Sequence, residues 1–416
     1  MSSVKDISEK IVCKNCILHS KVPDITINEG GYCTYCTYDE DPLENTKIDS
    51  NSQSQQSLVQ KMEELFSQIR EETNTYDVLV MFSGGKDSTY LLDLVKNKYK
   101  LRPLAFSVVH PQVNDASVKN MDDVAAKLNV DLIKYYPDLN MYKKYMKYGL
   151  IKGTEYGMNE FIGCSLCGYI INCPPLKTAM MMNIPVILSG DTKSQGLMSF
   201  VDGEEKKRFL LENGKRPYGK THHIFDDVCG EEYRGSLYDI SIEDIKKYRY
   251  PTTINPLSII DYDFRENFGK FDDKGLEGNA FKSLLTNCDA VYLFDYLSLK
   301  RYDCVTYIKQ LAQMMGTKDH TLMQLEVGGN LDDNKANLLR REFIMELLEE
   351  YKKLLFYIVD NKISGEKLSP EELANIHEMI NIAPKIFNKQ TINELINKIL
   401  KIHKLADYYE IDLANY

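Results

Sequence analysis

The stretch Asp77-Val-Leu-Val-Met-Phe-Ser83-Gly84-Gly85-Lys86-Asp87-Ser88 constrains this chain more than any other. Val78 to Phe82 form an apolar run with no polar break, which predicts a strand buried in a parallel sheet. The run stops at Ser-Gly-Gly, and the residues from Asp87 to Val95 carry Tyr90, Leu91, Leu92 and Leu94 at helical spacing. Strand, glycine turn and helix start gather backbone N–H groups about one point, with the positive end of the helix dipole aimed at it. Gly84 and Gly85 let the backbone close on an anion, and Lys86 adds a positive charge. Those residues predict a phosphate cradle. Adjacent glycines followed at once by lysine distinguish it from the longer GxxxxGK loop.

Ser-Gly-Gly-Lys-Asp-Ser in this setting resembles the pyrophosphate loop (PP-loop) of the adenine nucleotide alpha-hydrolase superfamily, the N-type ATP pyrophosphatases. The resemblance implies a HUP-like PP-loop ATPase domain that splits ATP to AMP and pyrophosphate, with Mg²⁺ on the phosphates. It also implies that AMP is placed on a carbonyl oxygen, which a nitrogen or sulfur nucleophile then displaces. Ser83, Gly84, Gly85, Lys86, Asp87 and Ser88 would bind the nucleotide, with Lys86 and Asp87 also serving catalysis.

The chain holds 416 residues, enough for two or three domains with a large core. With 43% hydrophobic and 27% charged residues it reads as an ordinary globular protein. A net charge of −10 argues against a broad nucleic-acid surface. No apolar run approaches the ~18 residues of a membrane span. The opening MSSVKDISEK lacks the apolar segment of a secretory signal, so a cytoplasmic location is expected. Ten cysteines in such a chain then favour metal or sulfur chemistry over a disulfide framework.

Cys13-Lys-Asn-Cys16 and Cys33-Thr-Tyr-Cys36 are two CxxC pairs separated by sixteen residues. Four thiolates at this spacing suit a structural tetrahedral Zn²⁺, which would organise a segment too poor in apolar residues to fold alone. The run Cys13-x2-Cys16-Ile-Leu-x3-Val-Pro-Asp-Ile-x-Ile-Asn-Glu-Gly-Gly-Tyr-Cys33-x2-Cys36 resembles the amino terminus of the N-acetyl sugar amidotransferases. Those enzymes couple such a knuckle to the same loop, and the resemblance implies an acetamido carbonyl as acceptor and ammonia supplied by a glutaminase partner.

The expected organisation is a Cys₄ zinc knuckle over 1–45, a linker and packing helix over 46–75, a PP-loop domain with insertions over 76–325, and a helical domain over 326–416. Residues 41–56 are polar and read as linker, and Leu58, Met62, Leu65, Phe66 and Ile69 predict a packing helix over Ser57–Glu72. Strands are predicted over Leu101–His110, Asp131–Tyr136 and Ile184–Gly190, and helices over Ala116–Leu128 and near Met141–Tyr148. The alternation means a doubly wound parallel sheet, an α/β fold, whose ligands bind beyond the carboxyl ends of the strands. Main chain near Ser107 and Val108 is then where an adenine would be held, and His110 reads as a turn residue. Gly190 and Asp191 resemble the superfamily loop that closes on the ribose and alpha-phosphate, although Asp191, Thr192, Ser194 and Gln195 depart from its usual residues.

Cys164-Ser-Leu-Cys167 lies between these two loops in chain order, at i and i+3 of a helix start, which turns both sulfurs the same way. A CxxC at this place resembles the tRNA thiolation enzymes of the superfamily, in which such a pair and a distant cysteine hold an iron–sulfur cluster or pass a persulfide. Among Cys173, Cys229, Cys288 and Cys304, Cys288 is the preferred third thiolate, for a 4Fe-4S cluster or for persulfide chemistry, and Cys173 suits a core role. His222, His223, Asp226, Asp227 and Cys229 read as a surface insertion, and Ile254-Asn-Pro-Leu257 with Asp261, Asp263, Arg265 and Glu266 as a solvated loop that resembles an acceptor-positioning region. Val291 to Tyr296 again resembles the sugar amidotransferases, without their tryptophan-aspartate pair. From Asn334 on the pattern is helical, with a Ser369-Pro-Glu-Glu cap and amphipathic stripes that pack on each other or on a second copy in a homodimer.

Three functions therefore stand side by side. One is ATP-dependent adenylation of a carbonyl or amide oxygen followed by sulfur transfer, giving a thioamide or related product from a small-molecule or carrier-bound acceptor and a sulfur donor. A second is amidation with ammonia, and a third a nucleotide-binding subunit without turnover.

Overall fold

The structure is a computed structural model, and it describes residues 9–37, 52–72, 75–192, 200–262, 288–316, 333–363, 368–380 and 389–416. The chain divides into two compact units. One comprises Pro42–Lys152 and Ser165–Cys288; the other comprises Met1–Asp41, Gly153–Cys164 and Asp289–Tyr416.

The first unit is built on a six-stranded sheet of β1 (Val78–Met81), β2 (Pro103–Val108), β3 (Asp131–Tyr135), β4 (Val186–Leu188), β5 (Phe200–Val201) and β6 (Thr252–Ile254). Their order is β3-β2-β1-β4-β6-β5, and every pairing is parallel except β5 with β6. The strand order reverses between β1 and β4, and in open α/β sheets that switch point is where ligands bind. Val78, Leu79 and Val80 are fully buried, as an apolar run in a sheet covered on both faces must be. Asp77, also buried, pins the start of β1: its carboxylate accepts from the Arg102 main-chain N–H at 2.7 Å and pairs with the Arg102 guanidinium.

The predicted elements of this unit are present with small shifts. The packing helix runs Ser52–Glu71, starting inside the polar stretch read as linker, and buries Met62, Phe66 and Ile69 against Val78, Val80, Leu91 and Leu92. The helix after the glycine turn covers Lys86–Asp93 and continues as a π-helical turn over Leu94–Lys98. Helices Asp115–Leu128 and Leu139–Lys152 follow β2 and β3. Cys173 lies in the core with its thiol on the Tyr238 carbonyl at 3.3 Å, the role expected of it.

Two expectations are corrected. Ile254, Asn255, Pro256 and Leu257 are not a solvated loop but buried residues, at the end of β6 and, past the N-cap Asn255, in the short helix Pro256–Ile259, because β6 is an interior strand and its exit packs on the core. His222 is not on a surface insertion either. It sits in the helix Gly219–Cys229, buried, with Nδ1 on the Pro217 carbonyl and Tyr169 edge-on to its ring; Cys229 is buried as well, and His223 and Asp227 face solvent. Asp261 is described, whereas Asp263, Arg265 and Glu266, like Ser194 and Gln195, lie outside the described residues.

The second unit is helical apart from its amino-terminal knuckle. Helix Val291–Tyr302 is buried through Leu299, and its Asp295 carboxylate accepts from the Thr306 N–H and the Tyr351 hydroxyl, both at 2.8 Å. The second bond ties it to helix Asp333–Asp360. The Ser369 capping box forms as the sequence predicts and starts helix Pro370–Met379. Helices Lys389–Ile399 and Ile402–Tyr408 complete the unit. Among the described residues no helix is long and apolar enough to cross a membrane.

Candidate functional site

The loop Ser83–Ser88 leaves the carboxyl end of β1 and enters helix Lys86–Asp93 through Gly85, which caps the helix with no side-chain hydrogen bond. Gly84 takes a left-handed conformation, φ +71°, and a Cβ there would lie 2.3 Å from the Ser117 carbonyl oxygen. Glycine is required on both counts. Asn120, on the same helix as Ser117, donates from Nδ2 to the Gly84 carbonyl at 2.8 Å. Ser83 and Ser88 close the loop from within: their hydroxyls lie 3.1 Å apart, and the Ser83 N–H reaches Ser88 Oγ at 3.2 Å. The helix dipole and the first-turn amides thus face one concave point.

Lys86 Nζ sits between the two carboxylate oxygens of Asp87 at 2.6 and 2.8 Å, and the Tyr262 hydroxyl donates to the same carboxylate at 2.7 Å. On the other side of the switch point, Gly190 follows β4 so closely that a Cβ on it would lie 3.0 Å from the Ser88 nitrogen. The next residue, Asp191, accepts from Ser189 Oγ at 2.5 Å. Burial, and then the like charge of Asp87, push the Asp191 carboxyl above the usual carboxylate range. Ser107 and Val108 end β2; Ser107 is buried, with its hydroxyl on the Phe82 carbonyl. These residues therefore gather along the carboxyl ends of β1, β2 and β4.

Cys164 and Cys167 lie in the first turns of helix Ile162–Met181. Cys164 Sγ is 3.2 Å from the Tyr307 hydroxyl, and Cys167 Sγ is 3.7 Å from His110 Nε2. His110 opens a turn beyond β2, as the sequence predicts, and is buried there, stacked on Tyr142 with centroids 5.8 Å apart. Burial lowers its pKa to about 4, so the ring is neutral at neutral pH. A signal was present in the sequence, since a histidine directly after an apolar strand of a doubly wound sheet lies on the ligand-binding edge. Cys288 forms an isolated antiparallel bridge with Val113, three residues beyond His110. The loop 110–113 thus meets both Cys167 and the main chain of Cys288.

In the other unit, the sulfurs of Cys13, Cys16, Cys33 and Cys36 all lie within 4.8 Å of one another, and Cys16 and Cys33 are 3.6 Å apart. Among the described residues this is the one group of three or more ligating side chains so close together. Amides turn toward the sulfurs of the first pair: Asn15 and Cys33 donate main-chain N–H groups to Cys13, and Leu18 donates to Cys16. Contacts with Cys33 and Cys36, and then burial, push the Cys16 thiol up. Cys36 is held down at about 2 by contacts with Cys16 and Cys33. Cys33 rises to about 12 although Cys16 pulls it down, because Cys36 and burial outweigh that pull. Protons alone let this quartet carry a thiolate at Cys36 and resist ionisation at Cys16 and Cys33; a divalent cation would relieve that repulsion. A tetrahedral ion with metal–sulfur bonds of ~2.3 Å separates its sulfurs by roughly 3.8 Å, which the observed spacing fits. Arg341 donates to the carbonyls of Cys13 and Cys16 at 2.8 and 3.0 Å, bracing the first knuckle.

No protein-family model matches the chain. An uncharacterized protein of Methanocaldococcus jannaschii, MJ1599, is 30% identical over 131 residues, which is 30% of this chain and 44% of that protein. The chain therefore spans less than half the length of this curated relative. Among solved structures, the chain is similar to the U34-tRNA thiolase NcsA from Methanococcus maripaludis with its 4Fe-4S cluster, at 13% identity and a TM-score of 0.32, covering 70% of this chain and 80% of that one. It is similar to the NMN synthetase from Francisella tularensis at 10% identity and a TM-score of 0.34, covering 67% and 99%. The NH3-dependent NAD synthetase from Campylobacter jejuni, in complex with nitrate, shows 15% identity and a TM-score of 0.32, covering 70% and 95%.

Proposed function

We propose that this chain is an ATP-dependent, AMP-forming enzyme of the adenine nucleotide alpha-hydrolase superfamily that adenylates a carbonyl or amide oxygen and then delivers sulfur to the activated carbon. The observation that carries the first half is the placement of Ser83–Ser88 at the sheet's switch point, with Gly190 against the Ser88 amide. ATP would lie with its phosphates over the loop and its adenine along the main chain of Ser107 and Val108. The acceptor oxygen attacks the alpha-phosphorus and pyrophosphate leaves. Charge grows on the leaving phosphates, and loop amides already fixed in place stabilise it without reorganisation. Lys86 would reach a phosphate oxygen, and Asp87, with Asp191 near it, would hold the Mg²⁺ that neutralises the phosphates. Lys86→Ala should reduce ATP-dependent pyrophosphate release by about 10²–10³-fold, the usual cost of one preorganised charge stabiliser. Unchanged release in that variant would remove the proposal.

Sulfur is favoured as the nucleophile by Cys167, whose thiol lies against a buried imidazole. The Cys167 thiolate would attack the outer sulfur of a donor persulfide, R–S–SH. The donor's S–S bond breaks, R–S⁻ leaves, and the Cys167 persulfide anion then attacks the adenylated carbon with loss of AMP; a thiol reductant attacks Cys167 Sγ, which releases the sulfur on the product, and a second thiol reduces the resulting mixed disulfide. Cys164 and Cys288 are the further candidates for this traffic, or for an iron–sulfur cluster with Cys167. Iron and acid-labile sulfide analysis after anaerobic purification separates those two uses. If Cys164→Ala and Cys167→Ala both leave ATP-dependent product formation intact, the sulfur reading fails. The second reading, amidation with ammonia from a glutaminase partner, is favoured by the four-cysteine cluster, which resembles that of the sugar amidotransferases. We assign that cluster to Zn²⁺ in a structural role.

A further inference from the structure

The loop 110–113 fixes the direction in which His110 can act. The main-chain N–H of Gln112 donates to His110 Nδ1 at 3.4 Å, so that nitrogen offers its lone pair. A neutral imidazole with an accepting Nδ1 carries its proton on Nε2. Nε2 is the atom 3.7 Å from Cys167 Sγ. Two further contacts hold the ring in this pose: its plane lies 11° from that of the buried Tyr142, and the Val113 N–H closes a turn on the His110 carbonyl at 3.0 Å.

We propose that His110 is a positioning residue for the reactive sulfur of Cys167, donating its Nε2–H to that sulfur as thiolate or persulfide anion. The inference rests on the sulfur reading above and deepens it, because it singles out Cys167 as the residue that carries sulfur. His110 is not the base that removes the thiol proton: with Nδ1 accepting from the Gln112 N–H, its Nε2 is already protonated. A neutral donor keeps this role across the working pH range and brings no charge that a later anionic intermediate would have to shed.

The test measures iodoacetamide alkylation of the Cys167 peptide by mass spectrometry on the full chain at neutral pH, with Cys164 as internal comparator. His110→Phe keeps a flat ring and removes the donor; it should slow alkylation of Cys167 about tenfold, the effect of losing one hydrogen bond to an anionic sulfur. His110→Gln places an amide N–H at similar reach and should restore most of the rate. Phe and Gln variants that react as the parent does, or that are slowed equally, overturn the proposal. Should the Phe variant fail to fold, ¹⁵N-histidine spectra of the unaltered protein decide: the Nε2–H tautomer of His110 at pH 7 is expected, and the Nδ1–H tautomer or an imidazolium overturns it. Neither readout involves ATP turnover. A Cys167→Ala variant that keeps product formation would therefore sink the sulfur reading while leaving the hydrogen bond standing.

Discussion

Gly84→Ala separates the cradle from the rest of the fold. The substitution meets two obstacles. At φ +71° an L-residue costs about 1–2 kcal/mol, and the new methyl would lie 2.3 Å from the Ser117 carbonyl oxygen. That oxygen belongs to the main chain of helix Asp115–Leu128, so it cannot rotate away as a side chain would. Overpacking of this kind costs a further ~1–3 kcal/mol. The sum, about 2–5 kcal/mol, should lower the melting temperature by roughly 4–20 °C at the ~2–4 °C per kcal/mol typical of units this size. To relieve the contact the loop must retreat by about 1 Å, enough to cost about 100-fold where reacting groups are held in line. Pyrophosphate release should fall by that factor at temperatures where the variant remains folded. Gly214→Ala provides the control, since Gly214 has φ +57° with nothing within 4 Å of a new Cβ. It should lose only the ~1–2 kcal/mol of strain and keep the release rate. A Gly84→Ala variant with parental release, or a Gly214→Ala variant equally impaired, would refute the placement of the cradle.

Metal analysis should find one zinc per chain bound at the knuckle; Cys13→Ser or chelation should release it and expose residues 9–37 to protease, whereas a zinc-replete Cys13→Ser protein would contradict the assignment. Stability should also decline in mild acid. Burial is the leading cause that lowers His19, His110 and His222 to about 4, while the unfolded chain takes up protons near ~6.5. The unfolded state then binds more protons between those values, so stability is full above about 6.5 and is lost as pH falls toward about 4. Thermal melts of His222→Gln should show a shallower decline over that window, and an unaltered slope would exclude His222 as a contributor.

Much of the unit that carries the glycine loop was legible because its signals are local. An apolar run, two glycines and a lysine prescribe strand, turn and helix within a dozen residues, and two CxxC pairs prescribe four convergent sulfurs. What escaped depends on distant partners. Nothing near Asn255 reports that β6 is an interior strand paired with β4, and so the segment reads as polar and solvated until the sheet order is known. His110 and Cys167 are 57 positions apart, and only the packing of helix Ile162–Met181 joins them. His222 escaped for the same reason, since its burial comes from Tyr169 and neighbouring aromatic rings.

Arg341 braces Cys13 from 328 positions further along the chain. During synthesis at about 5–20 residues per second, roughly 15–65 s separate the emergence of the two. Through that interval the nascent knuckle lacks its clamp. The first CxxC turn is thus completed by a residue of helix Asp333–Asp360, so that chains ending before Arg341 should lose the metal to a chelator faster than the full chain does.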